Sequence, residues 1–269
     1  MTLGSEFVVF DIEAQVAQFR CIYSNVSTLS YHFPPRNTVV GILAAILGLE
    51  RERPNNEGYY GLLGRDKCGI AVRMMSPVRK IQFTVNYLDT GSSGLVDKKK
   101  ITGKGRRKQT PVEYVIGAGI SRLKYRIYVL HNDPYVRERL REKVEKGRSV
   151  YPLSLGPAYC CAFISFVSDD IVDEQLHDAQ PHQTYWVVTV VPEKALKSIE
   201  LTEVEKLQRS GQSLRIVREE NLPPDFGPRR EPLPQGGGNF YFEESGKPMP
   251  LKLNPVKIFK TKDGYGVFM

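Results

Sequence analysis

SYHFPPRNTVVGILAAILGLE, Ser30 to Glu50, is the stretch on which the fold turns. The Pro34–Pro35 pair breaks whatever precedes it, Asn37 and Thr38 are the residue types that cap a helix start, and good helix formers follow until Gly48 closes the run. Val39, Val40, Ile42, Leu43, Ile46 and Leu47 cover most of the circumference, so the helix is expected to be buried on more than one side. A helix of that kind is a core element, and the segments around it must supply its cover.

Upstream, FVVFDIEAQVAQF (7–19) is apolar and then nearly alternating, which reads as an opening strand with Arg20 at its outgoing end. Downstream, Gly69 to Met75, Val78 to Leu88, Pro111 to Gly117 and Leu123 to Asn132 read as strands rich in Val, Ile and Tyr. Asn132 or Asp133 then caps a charged helix, PYVRERLREKVEKG, whose Arg and Glu spacing suits a solvated face. YPLSLGPAYCCAFISFV and TYWVVTVV supply two more apolar strands. This order of strand, helix, strands, helix, strand predicts an α+β protein: a split βαβ, ferredoxin-like sheet with insertions. From Pro192 onward regularity weakens, with the Pro-heavy stretch NLPPDFGPRREPLPQGGG and then short strands in NFYFEE and LKLNPVKIF.

Composition narrows the function. The 269 residues carry a net charge of +8, which favours an acidic partner. Cys21, Cys68, Cys160 and Cys161 have no CxxC spacing and do not form a disulfide framework, so a reducing, cytoplasmic setting is expected. The longest greasy stretch, Thr38 to Leu49, is far too short to cross a bilayer, and no membrane role is expected. Walker, GxGxxG, HExxH and nucleophile-elbow motifs are missing, and no cofactor is expected. His177 and His182 lie among Asp173, Glu174 and Asp178 without finger or helical spacing, which reads as a polar loop before TYWVVTVV rather than a metal site.

The densest charge lies in DKKKITGKGRRK, Asp97 to Lys108, with seven cations against one acid and no apolar face. Bracketed by two strand-like arms, it predicts a basic hairpin tip that meets phosphates, with Lys98, Lys99, Lys100, Lys104, Arg106, Arg107, Lys108 and Gln109 as contacts. Tyr23, Tyr31, Phe33, Tyr151 and Tyr159 sit at expected strand ends or bends, where unstacked bases can rest on rings; core packing is the competing use. Gly236, Gly237 and Gly238 are either a linker or a loop whose amides lie against a sugar-phosphate backbone.

Four blocks in this order, FVVFDIEAQVAQFR, SYHFPPRNTVVGILAAILG, KQTPVEYVIGAGISRLKYRIYV and YPLSLGPAYCCAFI, resemble the fifth CRISPR-associated protein family, the small RAMP-superfamily subunit of type I Cascade complexes. The resemblance spans residues 7 to 164. It implies a ferredoxin-like (RRM/RAMP-type) domain over 1–191 with a long basic thumb hairpin at 78–116, and a smaller, variable β-rich region with the Gly-rich loop over 192–269. It further implies a non-catalytic subunit that binds the 5′ handle of crRNA and caps the backbone filament. Its partners would be the Cascade backbone subunit, the large subunit and, through the assembled complex, target DNA near the PAM. By the same carry-over Arg20, Ser30, Tyr31, Arg36, Tyr151 and Gly236 to Gly238 become candidate RNA contacts beside the thumb. One branch of the family is a metal-independent endoribonuclease using Tyr, Lys and His; here Tyr31, His32 and Arg36 are the corresponding residue types, giving repeat cleavage as the alternative activity. A generic basic RNA-binding module is the third reading.

Overall fold

A computed structural model describes residues 6–24, 27–50, 58–88, 107–119, 122–227 and 231–269. In chain order the strands are β1 (Phe7–Ala14), β2 (Phe19–Arg20), β3 (Ser30–Tyr31), β4 (Cys68–Met74), β5 (Val78–Leu88), β6 (Arg107–Gly117), β7 (Leu123–His131), β8 (Ala162–Phe166), β9 (Ile171–Asp178), β10 (Thr184–Val187), β11 (Val191–Pro192), β12 (Leu196–Ile199), β13 (Ile216–Leu222), β14 (Gly238–Glu243), β15 (Met249–Leu253), β16 (Lys257–Thr261) and β17 (Gly264–Val267). The helices are α1 (Arg36–Leu47), α2 (Gly58–Leu62), α3 (Pro134–Glu145) and α4 (Leu201–Arg209).

The central sheet is antiparallel with strand order β4-β7-β1-β8. Alternation along β1 divides its residues between two faces. Val8, Phe10 and Ile12 join Tyr125, Ile127, Val129, Ile70 and Val72 on the face that packs on α1 and on Val136, Leu140 and Val144 of α3. Burying α1 on several sides, as its sequence demands, is thus achieved by sheet, helix and the C-terminal residues Leu222, Phe240 and Phe242 together. The helix starts two residues earlier than the capping signal suggests: Pro35 stands at the cap and Asn37 instead donates to the Pro224 carbonyl at 2.6 Å. It ends at Gly48, whose φ of 73° is the left-handed conformation that favours glycine. Helix α3 begins as its sequence indicates, with the Asp133 carboxylate accepting from Tyr135 N at 2.9 Å.

The opposite face of the sheet is also covered. Phe7, Val9, Ala71 and Tyr128 pack on Phe259 and Phe268 from a second, six-stranded sheet of order β12-β15-β10-β17-β16-β9. Arg126 forks onto Asp11 at 2.7 and 3.1 Å and reaches Asp170 at 2.9 Å, while Tyr128 donates to Asp170 at 2.6 Å. Each buried charge in this seam is therefore matched, as burial requires. Since β9 and β10 belong to this second sheet, the β-rich part begins near Ile171 and not at residue 192. Of the histidine-bearing stretch expected to be a polar loop, the part up to Asp178 is strand β9, whose backbone pairs with β16, while His182 lies in the turn that follows. A third sheet, β11-β14-β13, closes over the entry to α1. Among the described residues no helix is long and apolar enough to cross a membrane.

Gly41 sits inside α1 with open space where a Cβ would stand. Glycine inside a helix costs roughly 0.5–1 kcal/mol relative to alanine, so Gly41→Ala is expected to raise the unfolding free energy by that amount, read as a higher urea midpoint at an unchanged m-value.

Candidate nucleic-acid interface

Strands β5 and β6 form a two-stranded ribbon of their own. Its two 11-residue strands pair in unbroken antiparallel register from Val78↔Gly117 to Leu88↔Arg107. The inner part is tied to the body through the free edge of β6: Ala17 and Val115 exchange bonds at 2.9 and 2.8 Å, and Thr28 N donates to Pro111 O at 2.9 Å. Beyond Pro111 the pairs Val85↔Thr110, Asn86↔Gln109, Tyr87↔Lys108 and Leu88↔Arg107 continue. That is roughly 13 Å of two-stranded ribbon, with no further strand bonded to it among the described residues.

Of the residues singled out from the sequence, Arg107, Lys108 and Gln109 lie here and are exposed. Lys98, Lys99, Lys100, Lys104 and Arg106 lie outside the described residues. Arg79, Arg107 and Lys108 have no carboxylate partner among the described residues. Lys80, on the inward face, does: Glu113 stands 3.6 Å and Glu219 3.9 Å away.

The polar turn before α1 is placed differently from expectation. Ser30 is fully buried, with its hydroxyl accepting from Phe19 N and donating to Tyr31 O, both at 2.9 Å. Tyr31 is fully buried and donates to the carbonyl of Asn221 at 2.5 Å. Arg36 is buried, donating to Leu63 O at 3.0 Å and Cys68 O at 2.8 Å beside Asp225 at 3.7 Å. These three hold the fold together and have no free group for a ligand. Phe33 is likewise core, with its ring 5.3 Å from Phe242. His32 accompanies neither Tyr31 nor Arg36 in a common cleft; its Nδ1 lies 2.5 Å from a Glu219 oxygen, and its amide donates to the same oxygen at 2.9 Å.

Other expected contacts remain accessible. Arg20 is exposed, its guanidinium 3.4 Å from Ser24 O. Tyr23 and Tyr159 are exposed, at 50% and 58%. Tyr151 is exposed beside a groove on α1 lined by Gly41, Ala45 and Tyr59. The glycine triplet divides in use. A Cβ at Gly236 would stand 2.4 Å from the Asp225 carboxyl carbon, and one at Gly237 would stand 3.0 Å from Leu222 O, so both are dictated by close packing; Gly238 alone faces open space. Beside them Arg36, Arg65, Asp225 and Gln235 line a cleft of ≈ 360 Å³. Asp225 accepts from Arg65 at 2.8 Å there, which offsets the local positive charge.

What the sequence reading missed is the outward face of the ribbon. Alternation puts Phe83 and Tyr87 of β5 on one side with Tyr114 and Lys108 of β6, since Tyr87 opposes Lys108 and Ile81 opposes Tyr114. Tyr159, from the bend before β8, joins them: its hydroxyl is 3.0 Å from that of Tyr114. The signal was present in QFTVNY, where every second residue is apolar or aromatic on a strand already assigned to the surface. Among the described residues no group of three or more His, Cys, Asp or Glu is arranged to hold a metal, and His177 pairs with Asp173 at 3.0 Å.

A family model, Cas_Cas5d, described as CRISPR-associated protein (Cas_Cas5), matches residues 7–193. The chain belongs to the Cas5 family. Its match begins with β1 and runs through the central sheet, the ribbon and α3 to Glu193, leaving the C-terminal strands outside. No curated protein matches the sequence. A crystal structure of a CRISPR protein from Archaeoglobus fulgidus is similar in fold, with a TM-score of 0.52 at 11% identity over 98% of this chain and 99% of that one. A chain titled CRISPR RNA-guided surveillance complex gives a TM-score of 0.41 at 11% identity, covering 93% of this chain and 90% of its own. A chain of the type III-B Cmr-beta complex bound to cognate target RNA and AMPPnP gives 0.43 at 10% identity, covering 91% and 86%.

Glu219 provides a test of how this Cas5 chain holds the base of its ribbon. Burial opposes charge on its carboxyl, yet the bonds from His32 and the nearby Lys80 outweigh burial and hold it below the usual glutamate value. The stabilisation is therefore complete above about pH 4.3 and is lost as pH falls through the lower folded-state value. Glu219→Gln is expected to lower the thermal midpoint at pH 7, with the gap to the parent protein closing as the pH drops below about 4.

Proposed function

We propose that this Cas5 chain is a non-catalytic subunit of a type I CRISPR effector complex, in which the β5–β6 ribbon acts as the thumb that grips the 5′ handle of crRNA. The observation that carries the reading is the ribbon itself: paired strands run past their last anchor on the body and lead into a run of cations, while Arg36, Arg65 and Arg126 of the body are matched by carboxylates. Phosphate contacts need exposed, unpaired positive groups on an element that reaches an extended polyanion. Support for a ferredoxin-like (RRM/RAMP-type) core comes from the order β4-β7-β1-β8, with α1 between β1 and β4 and α3 between β7 and β8. In this reading the chain caps the backbone filament, contacts the large subunit and approaches target DNA near the PAM through the complex, in the cytoplasm. The handle contacts are Lys98, Lys99, Lys100, Lys104, Arg106, Arg107, Lys108 and Gln109, with Arg20, Tyr151 and Gly238 on the body. Ser30, Tyr31 and Arg36 are withdrawn from the set, because their polar groups are spent internally.

If five ribbon cations each neutralise one phosphate, binding of handle RNA will fall with log salt at a slope of about −3.5. Arg107→Ala with Lys108→Ala reduces that slope by about 1.4, and at matched salt a scrambled RNA binds more weakly than the handle. An unchanged slope, or equal binding of both RNAs, overturns the reading in favour of a generic module or no RNA role.

The chain is proposed to lack repeat-cleaving activity, because Tyr31 and Arg36 are turned away from His32 into the core. Purified protein incubated with repeat RNA in EDTA is expected to leave it intact. A discrete cut abolished by His32→Ala establishes the enzyme instead.

A further inference from the structure

The outward face of the ribbon carries more aromatic surface than phosphate binding needs. Phe83, Tyr87 and Tyr159 are 56%, 45% and 58% exposed, a cost in water that packing does not recover. Their arrangement is specific. The Phe83 and Tyr114 rings are 6.4 Å apart and tilted by 54°, and Tyr114 and Tyr159 are 6.2 Å apart at 63°. None of these rings lies flat on its neighbour, and Phe83, Tyr87 and Tyr159 keep about half of their surface in solvent. Phe83 and Tyr87 are four residues apart on one strand, about 13 Å along it, which leaves room for bases that are not stacked on one another.

The Tyr114–Tyr159 hydroxyl pair ties the ribbon to the bend before β8, so the row bridges two elements and is held in place at their junction. In that pair one phenol gives its proton to the other, and the second proton remains free to meet an acceptor on a base edge. Burial and the bond to Tyr114 push the Tyr159 phenol up, so it stays a donor at neutral pH. Lys108 stands directly opposite Tyr87 on this face, and Arg79 opposite Ile116 at its other end. Rings flanked by unpaired cations match a single-stranded polyanion, whose bases need flat surfaces and whose phosphates need charge.

Resting on the proposed RNA-binding role, we propose that Phe83, Tyr87, Tyr114 and Tyr159 form a stacking platform for unpaired RNA bases, so that the ribbon selects single-stranded over duplex RNA. Duplex bases are already stacked on each other and gain nothing from the rings. Cations and rings then act independently: the first set the salt slope, the second a salt-insensitive increment.

The test uses the full-length chain and a labelled single-stranded RNA of about 12 nucleotides, a length within the range one module covers, against the same RNA annealed to its complement. Phe83→Ala, Tyr87→Ala and Tyr159→Ala are each expected to weaken single-strand binding by about 10-fold, with the salt slope and duplex binding unchanged. Phe83→Trp should keep the affinity and show fluorescence quenching on binding beyond the Trp186 background. Tyr159→Leu, which keeps apolar bulk without a ring, should behave like Tyr159→Ala. If the alanine variants bind as the parent does while Arg107→Ala with Lys108→Ala binds weakly, the platform is wrong and the RNA-binding role stands. Retained affinity in Tyr159→Leu also overturns the platform, as does loss of a copurifying protein subunit with RNA affinity intact, which assigns the face to a protein partner. If neither parent nor variants bind single-stranded RNA, the underlying role itself fails.

Discussion

The central sheet is apolar on both faces, and the need to cover both shapes the rest of the molecule. On one side Phe10, Ile12 and Ile127 require α1 and α3. On the other, Phe7, Val9 and Tyr128 require the second sheet, whose Phe259 ring lies 4.9 Å from Phe7 and 5.2 Å from Tyr128. Where that seam must pass polar residues, Arg126 is held between Asp11 and Asp170, and Arg73 meets Asp263 at 2.8 Å. Among the described residues, both faces of the central sheet are thus sealed by the protein's own elements.

A second division follows from the cost of buried charge. Arg36 and Arg65 share Asp225, Arg126 has Asp11 and Asp170, and Lys80 has Glu113 and Glu219. A cation removed from water must be matched in this way, whereas one left in solvent need not be. On the outer ribbon Arg107 and Lys108 are exposed and have no carboxylate partner among the described residues. The C-terminal strands take part in this partition although they lie outside the family match, since Glu219 of β13 and Asp225 after it supply two of the matching carboxylates. They brace the ribbon base and the entry to α1 from behind.

Much of the fold was legible because hydrophobic period is local. The α1 stretch, the capped α3 and the strands at 68–74, 78–88 and 123–131 can be read from residues within a turn or two of one another. The β9 stretch was not: VDEQLHD has strand backbone because β16, some eighty residues later, offers it hydrogen bonds. Still longer stretches of chain separate Tyr31 and Arg36 from their partners. Polar residues at a bend before a helix resemble ligand contacts until the acceptors are known, and Tyr31 finds its acceptor at Asn221 while Arg36 finds its carboxylate at Asp225. Gly236 and Gly237 read as either a linker or a loop lying against a sugar-phosphate backbone, and the structure packs them closely on Asp225 and Leu222. The aromatic face was half legible, since Phe83 and Tyr87 alternate correctly within β5, but Tyr114 and Tyr159 join them only through strand register and the packing of a bend.

By itself the sequence determined the charge excess, the main helices and strands of the N-terminal part, and the run of cations between two strand-like arms, because each is carried by neighbouring residues and by periodicity. Tertiary structure alone decided which polar groups are spent inside the protein and which are left to meet a ligand. Burial and pairing depend on partners brought from distant parts of the chain, and no local pattern encodes where those partners will stand.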